Sequence, residues 1–360
     1  MPPDQPKLNS LTGIRLYLAL FVFFFHGINQ AHLGIGRHAL DPGLLDFLNF
    51  IFNGGFAVGS FFILSGFVMW YSYSERNWTA RQFLGNRIAR LFPVYLLGII
   101  IVLFRWNHLL LEFQVSTAEA LRRLILSLLM LQSWQLDWRT TQMFNGPGWT
   151  LSVEMFFYAT FPLLFRIHQW SPKMFTITSS GIVITNLILS AHGLTEGFPL
   201  CLKNWGLFNL GLLLGYAWKN GMRINLAQWM ISLLLFLGFQ ASRSINPEMI
   251  IYLFPAIIII ALATADASGK RMSMFSSKWS VLGGEISYAI YILHAPIQTI
   301  VYSIFFHCGI FLLQTDNLSI KLLYLTLSLI ATISASYLAW RFVEIPARKW
   351  IVNRFARHYS

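Results

Sequence analysis

The stretch Leu11-Thr-Gly-Ile-Arg15-Leu-Tyr-Leu-Ala-Leu-Phe-Val-Phe-Phe-Phe-His26 decides how this chain folds. Between Arg15 and His26 no residue carries a charge. With its flanks the run supplies the roughly 20 mostly apolar residues that an α-helix needs to cross a bilayer core. Lys7 precedes it as in a signal peptide, but no Ala-x-Ala-like cleavage site follows, so it reads as an uncleaved first helix. Eleven residues of helix rise about 16 Å in slightly more than three turns. Arg15 and His26 therefore share a face, one near the cytoplasmic surface and the other well into the membrane. An ionisable group at that depth is expensive and ordinarily faces a polar cavity. His26 is then either a packing histidine bonded to a neighbouring helix, or a general base or nucleophile. Its reference pKa of about 6.5 suits the second role.

The same pattern recurs outward along the chain. Apolar spans are expected near 11–31, 49–74, 92–111, 149–168, 174–193, 200–218, 226–242, 248–266, 281–305 and 321–343. The 360 residues are 56% hydrophobic and 11% charged, against roughly 25% charged in a soluble domain. So few charges cannot cover a soluble globule of this size, whereas lipid asks for none. The fold class is all-α, a polytopic membrane protein of about ten transmembrane helices. The stretch 118–134 is apolar too, but Arg122 and Arg123 interrupt it. It reads as an amphipathic or re-entrant piece at the interface.

Net charge is +12. In a soluble protein this would suggest nucleic acid, but here no basic stripe or recognition motif appears, and nucleic acid is excluded as a partner. With the N-terminus inside and ten alternating spans, most lysines and arginines fall on the cytoplasmic side, as the positive-inside rule requires. Both termini are then cytoplasmic. An eleventh span at 118–134 would spoil that alternation. Cys201 and Cys308 are too few for a disulfide framework or a cysteine metal site. Gly211/Gly215 and Gly55/Gly59 have the spacing of close helix contacts.

Five further segments hold polar groups in apolar surroundings. Phe61-Phe-Ile-Leu-Ser65-Gly66 places a hydroxyl beside a glycine where another backbone or a substrate could approach. Arg81 to Pro93 reads as a loop; Arg87 and Arg90 within it would share a face if helical and clamp a phosphate, or merely set topology. In Gly146-Pro-Gly-Trp149-Thr-Leu-Ser152-Val-Glu154-Met-Phe-Phe-Tyr158, Thr150 or Ser152 is expected to cap a helix. Glu154 would fall in its first turn, on the outer side, with Tyr158 one turn on. The pair serves either as cap and anchor or as chemistry. Ile286-Ser-Tyr288-Ala-Ile-Tyr291-Ile-Leu-His294-Ala-Pro296 sets a second histidine beside a helix-kinking proline. Glu344 in Arg341-Phe-Val-Glu344-Ile-Pro346-Ala-Arg348-Lys349 reads as pairing with a basic neighbour at the inner surface. No phosphate loop, zinc helix or Gly-x-Ser-x-Gly elbow is present.

Taken in order, Arg15 with His26, Phe61-Phe-x-Leu-Ser-Gly66, Arg87-x-x-Arg90-x-x-Pro93, Trp149-x-Leu-Ser-x-Glu154-x-x-x-Tyr158, Ile286-Ser-Tyr-x-x-Tyr-x-x-His-x-Pro296 and Glu344-x-Pro-x-Arg348 resemble the acyltransferase-3 family of membrane O-acyltransferases. The likeness runs from about residue 10 to 350. It implies a bacterial inner-membrane enzyme. Acetyl-CoA, or another acyl-CoA, would be the donor on the cytoplasmic side, and a polysaccharide or lipid-linked sugar the acceptor, with no metal. It implies His26 as catalytic histidine; Glu154, read as lying on the outer half, is the second catalytic candidate, orienting the acceptor or His26. Arg15, Arg87 and Arg90 would bind the donor; Ser65, Ser152, Tyr158 and His294 are acceptor-facing candidates. Met155 stands where many relatives carry a second glutamate. The chain reads as a single domain over 1–360, with no extracytoplasmic domain after the last span. The alternatives are a transporter or flippase of a lipid-linked saccharide, to which intramembrane His and Glu residues and broken helices are also suited, and an acyltransferase acting on small glycosides or antibiotics.

Overall fold

The apolar runs fold as helices in a computed structural model that describes residues 6–31, 54–241, 251–312, 314–315 and 317–356. In chain order the principal helices are α1 (Asn9–Gln30), α2 (Gly54–Tyr73), α3 (Ala80–Leu103), α4 (Trp106–Phe113), α5 (Thr117–Leu128), α6 (Trp149–Trp170) and α7 (Pro172–Ala191). Then follow α8 (Trp205–Lys219), α9 (Gln228–Ala241), α10 (Leu253–Ala267), α11 (Lys278–His307), α12 (Leu318–Ala339) and α13 (Ile345–Ala356). Among the described residues there is no strand. Seven helices, α1, α2, α3, α6, α7, α11 and α12, are long and apolar enough to cross a membrane. The other three expected spans are helical but shorter. α8, α9 and α10 have 15, 14 and 15 residues, a rise of about 22 Å each against a core of about 30 Å. The expected starts at 49 and 248 and the expected end at 242 lie outside the described residues.

Two boundaries differ from the sequence reading. α3 begins at Ala80 rather than near 92, so the segment around Arg87 and Arg90 is helix, not loop. The cause is a capping box: the Thr79 hydroxyl accepts from the Gln82 amide at 3.2 Å, and the Gln82 side chain accepts from the Thr79 amide at 3.1 Å. Neither Thr150 nor Ser152 caps α6. Thr150 donates to the Pro147 carbonyl at 3.0 Å, and the Ser152 hydroxyl accepts the Ser133 amide at 3.2 Å. The helix is entered from a buried 3₁₀ turn, Gly146–Gly148, which puts Glu154 in the second turn.

Helix packing follows the small residues. A β-carbon on Gly211 would collide with the Ile63 carbonyl, and one on Gly66 with the Phe208 carbonyl, so α2 and α8 lie backbone to backbone. Gly59 abuts Tyr252, whereas Gly55 is exposed. Gly13 approaches the Phe275 carbonyl ahead of α11, and Gly284 the Thr12 carbonyl, drawing α1 against α11. Contacts advance in the same direction along both partners in each pair, so α1 and α11 are parallel, as are α2 and α8. Spans one and nine, and spans two and six, run parallel only if 118–134 adds no single crossing. That segment forms α5 and a 3₁₀ turn at Gln132–Trp134. α5 buries Ala120, Arg123 and Ser127 and turns Leu121 and Ile125 outward. Leu8 and Val352 line one cavity, which places the two ends of the described chain on the same side.

Candidate active site

Asp266, at the end of α10, accepts from the Ser10 amide at 2.8 Å and the Ser10 hydroxyl at 2.7 Å. The start of α1 has no side-chain cap of its own, so this distant carboxylate supplies one and fixes the helix that carries Arg15 and His26.

Beside that end of α1 opens a vestibule of about 640 Å³. Its walls bear Arg15, Arg76, Arg87, Arg90, Arg348 and Lys349, and no carboxylate among the described residues. Arg15, Arg90 and Arg348 make no hydrogen bond or ion pair within 4.0 Å among the described residues. Arg87 donates from Nη2 to the Tyr73 hydroxyl at 2.7 Å and lies over that ring at 5.2 Å, but its buried Nε has no partner among the described residues. Guanidiniums with no carboxylate in direct contact, and with donor groups unspent, are what an anion of several phosphates would satisfy. α13 supplies Arg348 and Lys349. It is set at its angle by a π-turn, Trp340–Glu344, the kind of irregularity that frequents functional sites.

Arg15, Val68, Arg87 and Arg90 also line a narrower inner cavity of about 90 Å³. Here Ser65, Glu154, Tyr158, Ser287, Tyr288 and Tyr291 join the wall. The Tyr158 hydroxyl donates to Glu154 Oε2 at 3.0 Å. Glu154 lies in the field of Arg90, Arg15 and Arg87, a carboxylate facing three guanidiniums. It is therefore deep among the helices beside Arg15, not on the outer surface, because the turn that starts α6 is itself buried. Tyr288 donates to the Leu91 carbonyl, tying α11 to α3.

One turn beyond Tyr291 the two histidines meet. His294 Nε2 is 3.2 Å from His26 Nδ1, and His294 Nδ1 is 2.7 Å from the Tyr291 carbonyl. His26 Nδ1 is also 3.0 Å from the Val22 carbonyl. His294 is fully buried; His26 is partly exposed. The inner cavity stops at Tyr291, whose ring packs edge-on to His294 and to Phe61 with centroids 6.0 Å away in each case.

The structure thus gathers Arg15, Arg87, Arg90, Ser65, Glu154 and Tyr158 around one connected space and pairs His26 with His294. Ser152 lies outside it, its hydroxyl engaged by Ser133 and its carbonyl by the Cys201 thiol at 3.8 Å. Glu344 is buried in the field of Arg90 and then Arg348; among the described residues it has no ion pair within 4.0 Å, and its Oε2 has no hydrogen-bond partner. In the sequence Arg76 and Lys349 show only positive charge near a span end, and Arg348 only its place in the Glu344-x-Pro-x-Arg348 motif; nothing in the spacing tells that residues 15, 87 and 348 converge.

An acyltransferase-domain family matches residues 8–341. Curated relatives include the acyltransferase MdmB of Streptomyces mycarofaciens, 29% identical over 82% of this chain and 80% of its own. Exopolysaccharide production protein ExoZ of Rhizobium meliloti is 26% identical over 67% of this chain and 75% of its own. O-acetyltransferase OatA of Staphylococcus aureus is 24% identical over 97% of this chain and 58% of its own. No solved structure is a significant match. With a family match spanning nearly the whole chain, and with that match laid over a bundle of apolar helices, this multi-pass membrane protein belongs to the acyltransferase-3 family and is an acyltransferase.

Proposed function

We propose that the protein transfers an acyl group, acetyl in the first instance, from acyl-CoA on the cytoplasmic side of a bacterial inner membrane to a sugar hydroxyl of an envelope or exopolysaccharide. The observation that supports this reading is the set of six cations in the vestibule wall, three of which, Arg15, Arg87 and Arg90, also line the inner cavity that reaches Tyr291, one turn from His294. The CoA phosphates would sit against Arg87, Arg90, Arg15 and Arg348, and the pantetheine arm would run along α1. Arg15 and His26 are about 16 Å apart along that helix, a span suited to an extended arm. To reach His26 from the inner cavity the thioester would have to part the packed rings of Phe61 and Tyr291. Two relatives, ExoZ and OatA, are named for exopolysaccharide production and O-acetyl transfer, which supports the choice of acceptor and acyl group.

At His26 the imidazole takes the proton of the acceptor hydroxyl as its oxygen attacks the thioester carbon. The carbon–sulfur bond breaks, and the CoA thiolate recovers the proton. A relay through acyl-His26 uses the same lone pair; a burst of CoA release without acceptor distinguishes it from direct transfer. The decisive experiment is acetyl-CoA consumption by purified protein with a polysaccharide acceptor, for wild type and His26→Ala. Transfer should vanish in the variant while membrane insertion persists. Near-normal transfer by His26→Ala would reject the reading.

A further inference from the structure

We infer that His294 is a positioning residue for the transfer. It orients His26, keeps its Nδ1 protonated, and leaves Nε2 as the reactive lone pair. The inference rests on the reading of His26 as the group that meets the substrate.

The argument is an accounting of donors and acceptors. A carbonyl oxygen only accepts, so the 2.7 Å contact between the Tyr291 carbonyl and His294 Nδ1 requires a proton on that nitrogen. In a neutral imidazole the other nitrogen then has none. His294 Nε2 is therefore an acceptor, and it faces His26 Nδ1 at 3.2 Å. The Val22 carbonyl, 3.0 Å away, is a second acceptor on that same nitrogen. Only a protonated Nδ1 serves both, and the lone pair of His26 is thereby confined to Nε2.

The chain Tyr291 carbonyl, His294, His26 occupies the place that an acid holds behind a catalytic histidine elsewhere, where a third group orients the base. When Nε2 takes the acceptor's proton, His26 becomes an imidazolium whose Nδ1–H donates to His294, and part of the charge passes to the second ring. His294 carries no formal charge, so it strengthens this bond without an ion buried beside it. Its position is fixed by backbone: Gly13 and Gly284 bring α1 and α11 into contact, and Gln298 on α11 donates to the Phe23 carbonyl at 3.0 Å.

The test uses the full-length protein in lipid vesicles with acetyl-CoA and a polysaccharide acceptor. His294→Leu keeps bulk without an acceptor and should lower kcat by about 10- to 100-fold, part of the 10²–10⁴ that a general base supplies. The KM for acetyl-CoA should stay within about twofold. His294→Gln restores a carbonyl acceptor and should recover most of that loss. In a His26→Ala background, adding His294→Leu should cost nothing more. Ring ¹⁵N shifts, assigned by difference against His26→Ala and His294→Leu, should show Nδ1–H at both residues. Unchanged kcat in His294→Leu, a glutamine variant as poor as the leucine one, or an Nε2–H tautomer at either ring overturns the inference. Should the leucine variant fail to insert, the glutamine variant and the wild-type ring shifts decide alone. Full activity in His26→Ala would instead overturn the function proposed above, and is distinguishable for that reason.

Discussion

The side-chain amide of Asn145 donates to the backbone carbonyl of Ile292 at 3.1 Å, the carbonyl that Pro296, four residues on and lacking an N–H, cannot serve. A residue before α6 thus completes the broken ladder of α11, two residues from His294. Asn145→Ala leaves that buried carbonyl unpaired and should cost about 1–3 kcal/mol, read as a lowered Tm of the detergent-solubilised protein. Adding Pro296→Ala restores the backbone donor and should recover part of the loss. Equal stability of wild type and Asn145→Ala would show that the bond contributes nothing.

Close packing of α2 on α8 depends on the missing β-carbon of Gly211. Gly211→Ala pushes against the Ile63 carbonyl, where backbone must move, and should cost about 1–3 kcal/mol. Gly181→Ala meets nothing within 4 Å and serves as the control, with Tm unchanged or slightly raised. Matching Tm values for the two variants would contradict the contact.

If the vestibule holds the donor as proposed, Arg87→Ala should raise the KM for acetyl-CoA more than that for the acceptor. Arg348→Ala should do likewise, by about tenfold or more, since a hydrogen bond to a charged group is worth about 1.5–3 kcal/mol. Steady-state kinetics varying each substrate in turn separates the two. An Arg348 variant that changed only acceptor use would remove α13 from the donor site.

Glu154 balances three guanidiniums and holds Tyr158. Glu154→Gln keeps the hydrogen bond and removes the charge that faces three guanidiniums, so Tm should fall while the KM for acetyl-CoA shifts. If acceptor KM moves and donor KM does not, the carboxylate acts on the sugar instead.

At α5, hydrogen bonds from Arg122 and then Arg123 hold the Glu119 carboxyl at about 2, below its ordinary value of 4.5. A folded value below the unfolded one gives stabilisation that is complete above pH 4.5 and lost as pH falls toward 2. Because Glu119 is partly exposed, screening keeps the effect small. Amide exchange in α5 should therefore hold steady from pH 7 to 5 after correction for intrinsic rates, then lose protection below 4.5. Glu119→Gln should remove that dependence.

Span positions were legible because lipid demands about 20 apolar residues at a stretch, and Arg15 and His26 were legible because 11 residues of helix carry one face from surface to interior. The partnership of His26 with His294 was not, since it joins positions 268 apart and depends on glycines that bring two parallel helices together. The start of α3 was misread because charge near Arg81 outweighed the short Thr79–Gln82 signal. Glu154 was placed too near the outer surface because spacing alone does not show that α6 begins below it.

The vestibule takes Leu8 to Arg15 from the beginning of the described chain and Ile345 to Val352 from near its end. During synthesis its first wall therefore waits for its last. A nascent chain lacks one side of this cavity until α13 has left the ribosome. If the cavity holds the acyl donor as proposed, the order of translation alone withholds donor binding from half-made protein.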